Sequence, residues 1–498
     1  VNRQIRQLAV GLMACYAALF STLNYWSISR SDDLNARFDN TRQILREFND
    51  PRGPIVTADG TVVAASVATA PGSKYEQQRV YPEGELFAHV TGYYTFGFGS
   101  TQVERVYDGV LTGNTDEQQL RALGNVLGGE RDDSGTVELT LDADLQRVAR
   151  DALGQREGSV VVLEPKTGAV RAMWSYPSFD PNLIADPDFD RAKDVLTFYE
   201  AQQGNPLLAN AYQERYMPGS TFKVITTGIA LENGVVSTDS VFQVEREFVP
   251  PQTTDPIQNY GGSSCGGTFP EVFARSCNTP FARLALDIGP QRMVEGIERW
   301  GIGEPIPIDL PRPAASTFGD TSDLANNLPL LAIRGFGQND DQMVPLHMAM
   351  VAATVANGGR MMKPYVVART IDHDGRVLHE TEPEVWKTPI SEQNAIILNS
   401  LMQGVATSGT ARCCIGLNNG ISVAAKTGTA QLNAAGEPER SHAWIVAFAP
   451  AEDPQYAIAV MLKGTDAEIS AGTGGRLAGP VAKTVLDAAF ALDEQAGG

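Results

Sequence analysis

The sequence predicts an α+β protein: an antiparallel sheet flanked by helices, preceded by a small mixed spacer and an N-terminal membrane anchor. Three observations carry this. ISVAAK (421–426), HAWIVAFA (442–449) and YAIAVMLK (456–463) are strand-like runs joined by short loops, the pattern of an antiparallel meander. Helical and strand patterns mix over the second half without strict βαβ alternation. Residues 8–28, LAVGLMACYAALFSTLNYWSI, carry no charge and are long enough as a helix to cross a hydrocarbon core of about 30 Å.

The 498 residues, with 43% hydrophobic and 20% charged side chains, suit a multi-domain globular chain. The formal charge of −20 argues against a nucleic-acid partner, which needs clustered Lys and Arg. Arg3 and Arg6 precede the uncharged stretch and Asp32 and Asp33 follow it, so the positive-inside rule places the N-terminus in the cytoplasm and the bulk outside. Tyr25 and Trp26 would lie at the far interface. A cleaved signal peptide would need a shorter apolar core and a small-residue cleavage site. A lipoprotein signal ending at Cys15 is poorly served by Met13, and a buried core helix would leave the charge asymmetry without a cause.

The chain then divides into three: stub and anchor (1–30), spacer (31–135) and a large domain (136–498). RGPIVTADGTVVA (52–64) reads as a hairpin turning at Asp59-Gly60. Within the large domain VELTL is a strand, and Asp142 can cap a helix with Leu145, Val148 and Ala152 on one face. SVVVLEPKTGAVRAMWS reads as two strands and a turn. TIDHDGRVL (370–378) is a hairpin on Asp374-Gly375, and a last helix covers roughly 478–492. Of the five cysteines, Cys15 lies in the anchor, and Cys265, Cys277, Cys413 and Cys414 allow three pairings. An exported chain permits disulfides. Cys265–Cys277 is the first to test, Cys413–Cys414 would be a vicinal bond, and four free thiols remain open. No metal-ligand spacing occurs.

Chemistry concentrates in three short motifs. Met217-Pro218-Gly219-Ser220-Thr221-Phe222-Lys223 opens a helix, and residues three apart share a face, so Ser220 and Lys223 present a hydroxyl and an amine together. A serine needs a base to become a nucleophile, and a lysine serves as one once its pKa is lowered. Ser276-Cys277-Asn278 follows the helix-like EVFARS, at a turn. Lys426-Thr427-Gly428-Thr429 ends the strand ISVAAK. Lys166-Thr167-Gly168 repeats three of those letters, but between two strands, where it reads as a turn. Each motif alone has an ordinary explanation: a helix start with a surface lysine, a capping turn, a strand end. Their joint occurrence in this order is the informative fact.

Ser220-x-x-Lys223, Ser276-x-Asn278 and Lys426-Thr427-Gly428 resemble the three active-site motifs of penicillin-binding proteins and serine β-lactamases. RGPIVTADG, YPEGELFAHVTGY, EPKTGAVRAMWSYPSFDPN and ATVANGG resemble class B, transpeptidase-only members, and the short spacer resembles the small actinobacterial type. The resemblance implies a penicillin-binding transpeptidase fold and a spacer of the pedestal or dimerisation kind. It implies a peptidoglycan D,D-transpeptidase that cross-links stem peptides through a Ser220 acyl-enzyme, inhibited by β-lactam antibiotics, acting in cell-wall synthesis during cell division. Lys223 is then the base, and Ser276 relays a proton between Lys223, Lys426 and the leaving amine. Asn278 holds the substrate amide. Thr427, Gly428 and Thr429, with Lys426, take the terminal carboxylate, and the Ser220 and Thr429 N–H groups form the oxyanion hole. The two lysines would depress each other's pKa. No cofactor is implied; division or elongation machinery proteins are implied partners.

Alternatives are a D,D-carboxypeptidase, which differs in using water as acceptor, and a β-lactam sensor or scaffold without turnover. A class A β-lactamase would need Glu-x-x-x-Asn, and Ile308 stands four residues after Glu304. Gly262-Ser263-Ser264-Cys265-Gly266 matches the letters of a nucleophile elbow, but its polar flank QTTDPIQNY is no buried strand. His442 opens an apolar strand and reads as a packing residue.

Overall fold

The computed structural model describes residues 2–26, 49–71, 73, 75–95, 97–118, 134–432, 440–465 and 467–496. It divides into two compact units, Val1–Pro51 with Ser66–Gln78, and Arg52–Ala65 with Arg79–Gly498.

The first unit holds the helix Asn2–Asn24. Arg3–Asn24, 22 residues, is long and apolar enough to cross a membrane, and none of it is buried. At 1.5 Å per residue it reaches about 33 Å. Leu8, Leu12 and Leu19 stand exposed, which no core helix would allow. The helix starts six residues before the uncharged stretch and carries Arg3 and Arg6 on its first turns, because long basic side chains are good helix formers. Residues 27 and 28 of the expected span lie outside the described residues.

The second unit is built on a five-stranded sheet. We label its strands β1 (Gly158–Leu163), β2 (Val170–Tyr176), β3 (Ala424–Gln431), β4 (Ser441–Ala449) and β5 (Tyr456–Leu462). Their order is β3-β4-β5-β1-β2, and every pairing is antiparallel. All residues of β4 and β5 are buried. The helices α1 (Ala143–Leu153) and α5 (Gly474–Ala496) pack against the sheet and each other. So do α3 (Pro345–Ala356) and α4 (Glu392–Thr407), while α2 (Lys223–Glu232) packs on α4. α3 is apolar and buried from Pro345 to Val355, as a helix inside a large core must be. Asp142 caps α1 as expected, its carboxylate accepting from Leu145 N at 2.8 Å.

Two expectations shift, and the two expected hairpins form. The strand expected at 421–426 runs instead from Ala424 to Gln431, so Lys426-Thr427-Gly428-Thr429 lies in its middle rather than at its end. The left-handed Asn419-Gly420 pair delays the start, and register with β4 holds all eight residues, Lys426 opposite Val446 and Thr429 opposite Ala443. Sheet pairing overrides the turn-like look of Thr-Gly-Thr. The last helix begins at Gly474, with Pro480 inside its second turn. The two hairpins, at 52–64 and 370–378, join one further sheet. In it Ile55–Val56 pairs with Val62–Ala68 and, in parallel, with Thr136–Leu139, which in turn pairs with Val367–Ile371.

Beside that sheet the Glu104 carboxylate is fully buried between Arg52 Nε and Arg79 Nε, each at 2.6 Å. Burial alone would raise the Glu104 carboxyl, but Arg79 and Arg52 outweigh it and hold it below its ordinary value. Arg52 also reaches Asp108 at 2.6 Å. Glu104→Ala strands the buried Arg79 guanidinium and leaves Arg52 with Asp108 as its remaining carboxylate. A loss of about 3–5 kcal/mol in unfolding free energy is expected. Denaturant titration checks this, and an unchanged midpoint would show that the network is solvated.

Candidate active site

The site forms where three chain segments meet at the edge of β3. The first is a tight turn. Met217 O accepts from Trp444 Nε1 of β4 at 3.0 Å, and Gly219 N donates to Gly337 O at 3.0 Å. Gly219 has φ 53°, and a Cβ there would lie 2.6 Å from Thr429 O, so only glycine lets the turn rest on β3. Gly428 answers from the other side, where a Cβ would lie 2.6 Å from Pro218 O. Ser220 follows in the 3-10 turn Gly219–Phe222, which leads straight into α2 at Lys223. With three residues per turn, positions 220 and 223 share a face as expected.

The second segment is the turn after the helix Phe269–Ala274. Ser276 takes φ 59°, a conformation disfavoured for a side chain with a Cβ. It is held by Ser276 N donating to Phe273 O at 3.1 Å and Cys277 N to Val272 O at 3.0 Å. Cys277 is bonded to Cys265 of the neighbouring strand. Asn259 accepts from Asn278 N at 2.8 Å and Thr279 N at 3.1 Å, so one buried amide fixes the exit of the turn. Cys413 and Cys414 are also bonded to each other, and Cys15 is free.

Polar contacts converge on Ser276. Lys426 Nζ donates to Ser276 Oγ at 2.8 Å and to Thr427 O at 2.9 Å. Lys223 Nζ donates to Ser276 O at 2.8 Å, to Asn278 Oδ1 at 2.8 Å and, more weakly, to Ser276 Oγ at 3.4 Å. Both lysines are 0% exposed. Lys223 faces the rings of Phe281 and Phe336, and Lys426 that of Phe273. Burial is the first cause of lowered pKa in each. Lys223 falls well below its ordinary value through burial and then through Lys426, and Lys426 falls to about 7 through burial. The expected mutual repulsion is thus the lesser cause. Burial thus disfavours the charged form of Lys223 and favours its acting as a proton acceptor, whereas Lys426 keeps its charge only below about pH 7.

Ser220, Ser276, Asn278, Thr427 and Thr429 line one open cleft of about 1010 Å³. Lys223 and Lys426 lie behind its wall and reach it through Ser276. The motif reading overlooked other lining residues, among them Asn259, Phe336, Gln338 and Thr410. None sits at a diagnostic spacing from the motifs, so only packing brings them there. The look-alike motifs stay apart. Lys166 is an exposed turn residue paired with Asp453 at 2.7 Å. Cys265 of the Gly262–Gly266 run is disulfide-bonded and starts a strand rather than a helix. His442 Nδ1 accepts from Gly464 N at 3.0 Å, a packing role.

A mixed-layer α+β domain with a serine, two buried lysines and an amide at one sheet edge defines the class. The chain belongs to the penicillin-binding protein transpeptidase family: residues 158–487 match the penicillin-binding protein transpeptidase domain. Residues 52–137 match the penicillin-binding protein A dimerisation domain. The chain is 36% identical to the peptidoglycan D,D-transpeptidase PbpA of Mycolicibacterium smegmatis, over 98% of this chain and 99% of that protein. It is 34% identical to PbpA of Mycobacterium tuberculosis over 98% and 99%. The solved structure of penicillin-binding protein A from M. tuberculosis, as its ceftriaxone acyl-enzyme complex, aligns with TM-score 0.82 and 34% identity, covering 89% of this chain and 99% of that one.

Two outcomes are expected. Replacing Cys265 and Cys277 together by Ser frees the Ser276 turn to leave its left-handed conformation, and β-lactam labelling slows by about ten- to a hundredfold. Three free thiols in the unreduced wild type, rather than Cys15 alone, would remove the premise. The rate of labelling by subsaturating β-lactam should fall above about pH 7 as Lys426 loses its charge. Lys426→Arg, which keeps its charge, should move the falling limb to higher pH; an unmoved limb would assign it to another group.

Proposed function

We propose that the protein is a membrane-anchored peptidoglycan D,D-transpeptidase whose nucleophile is Ser220. The observation that carries this is the Ser276 hydroxyl placed between two buried amines in the cleft that Ser220 also lines, a path for a proton. Lys223, whose burial disfavours the charged ammonium, takes the Ser220 proton as Oγ attacks the carbonyl between the last two D-alanines of a stem peptide. The N–H groups of Ser220 and Thr429 receive the developing oxyanion. Ser276 passes the proton to the departing amine, terminal D-alanine leaves, and the acyl-enzyme remains. An amine from a neighbouring stem then attacks, its proton returns through the same groups, and Ser220 is released.

Charged Lys426, with the Thr427 and Thr429 hydroxyls, suits the terminal carboxylate. Asn278 holds the substrate amide. β3 is an edge strand, so the extended peptide can add to it by main-chain hydrogen bonds. The anchor with Arg3 and Arg6 at its start supports a cytoplasmic N-terminus and a catalytic domain outside. We assign 1–30 to stub and anchor, 31–135 to a spacer, where machinery of division or elongation would dock, and 136–498 to the catalytic domain.

Mass spectrometry after penicillin treatment should place the adduct on Ser220, and Ser220→Ala should abolish labelling while thermal unfolding stays cooperative. A labelled Ser220→Ala variant would reject the nucleophile. Release of D-alanine that depends on an added amine acceptor separates a transpeptidase from a carboxypeptidase and from a sensor that is acylated without turnover.

A further inference from the structure

The turn that follows α4 has no place in the three motifs, yet it touches two of them. Thr410 N donates to Ala274 O at 3.2 Å, two residues before Ser276. The Thr410 carbonyl packs against Gly475 at the start of α5, where a Cβ would collide with it. These backbone contacts fix the Thr410 side chain in the wall of the cleft, and its Oγ1 lies 2.5 Å from Thr427 Oγ1. Thr427 is 6% exposed, so its hydroxyl has few directions open to it.

A hydroxyl has one proton and two acceptor sites. In the Thr410–Thr427 pair one hydroxyl must donate to the other. If Thr427 donated to Thr410, it would present only lone pairs to the cleft and repel a carboxylate. If Thr410 donates to Thr427, the Thr427 proton is free to point into the cleft. The neighbouring hydroxyl follows the second pattern. Thr429 Oγ1 accepts from Gly474 N at 3.3 Å, which leaves its own proton for the cleft. Each threonine of the strand is thus supplied with a hydrogen bond from behind, one by a main-chain amide and one by Thr410. Lys426 lies beside them as the cation.

We propose that Thr410 is a positioning residue for the carboxylate end of the substrate: it donates to Thr427 and so turns the Thr427 proton toward the anion, making the cleft selective for ligands that end in a carboxylate. This rests on Ser220 as the nucleophile and deepens that reading by adding a residue outside its motifs.

The test compares penicillin G, which carries a free carboxylate, with its methyl ester, on full-length protein. Thr410→Val should slow acylation by penicillin G about tenfold, the loss of one charge-assisted hydrogen bond. Acylation by the ester should stay within about twofold, which also reports an intact cleft. Thr410→Ser should restore the wild-type rate with the acid. Thr427→Val should show the same selective loss, and the double variant should be no slower than Thr427→Val alone, because both act through one proton. Equal losses with acid and ester, no loss with the acid, or additive losses in the double variant would each overturn the role of Thr410. Adduct mapping on wild type separates the two levels. A label away from Ser220 removes the nucleophile and this inference together, whereas a label on Ser220 with one of those three patterns removes only Thr410.

Discussion

The Ser276 hydroxyl, wedged between Lys426 Nζ and Lys223 Nζ, is the contact on which the rest of the site depends. Burial disfavours the charged form of both amines, which lets them share so small a space: two ammonium groups this close and this dry would repel, and each would lack its hydration. Their aromatic surroundings, Phe273, Phe281 and Phe336, supply a weak attraction for whichever amine is charged and no competing acceptor. The outcome is one amine, Lys223, whose charged form burial and Lys426 disfavour, and another, Lys426, that titrates near neutrality.

Holding that contact requires three stretches of chain far apart in sequence to approach within van der Waals distance. The fold achieves this by omitting side chains where backbones meet, at Gly219 and Gly428, and by anchoring each piece to the sheet. Trp444 of β4 fixes the turn before Ser220, the Cys265–Cys277 bond and Asn259 fix the turn around Ser276, and pairing with β4 fixes Lys426. The sheet is a rigid reference because its three inner strands, β4, β5 and β1, are buried along their whole length. The positive φ of Ser276 is the local cost of aiming a hydroxyl that a relaxed turn would point elsewhere.

Much of the site was legible because its chemistry is local. Ser220 and Lys223 share a helical face at a spacing of three, and the strand residues around Lys426 stand on one short segment. Element boundaries were less legible. The stretch Thr427-Gly428-Thr429 has weak strand propensity, and only its partner β4 makes it a strand. The hairpin at 52–64 was readable from Asp59-Gly60, but its parallel pairing with Val137 and Glu138 depends on a crossover that no local pattern records. Residues such as Asn259 and Thr410 carried no signal at all, since a lone amide or hydroxyl in a loop is ordinary in sequence.

The sequence by itself determined the family, the long apolar N-terminal helix, many of the strands and helices and the candidate reacting groups, because these follow from periodicity, charge and short motifs along the chain. Tertiary structure alone decided how strongly burial disfavours charge on each amine, which cysteines pair, how Ser276 is aimed and what stands behind each threonine of the strand. Those are matters of burial and of distance between remote residues, and neither quantity exists until the chain is packed.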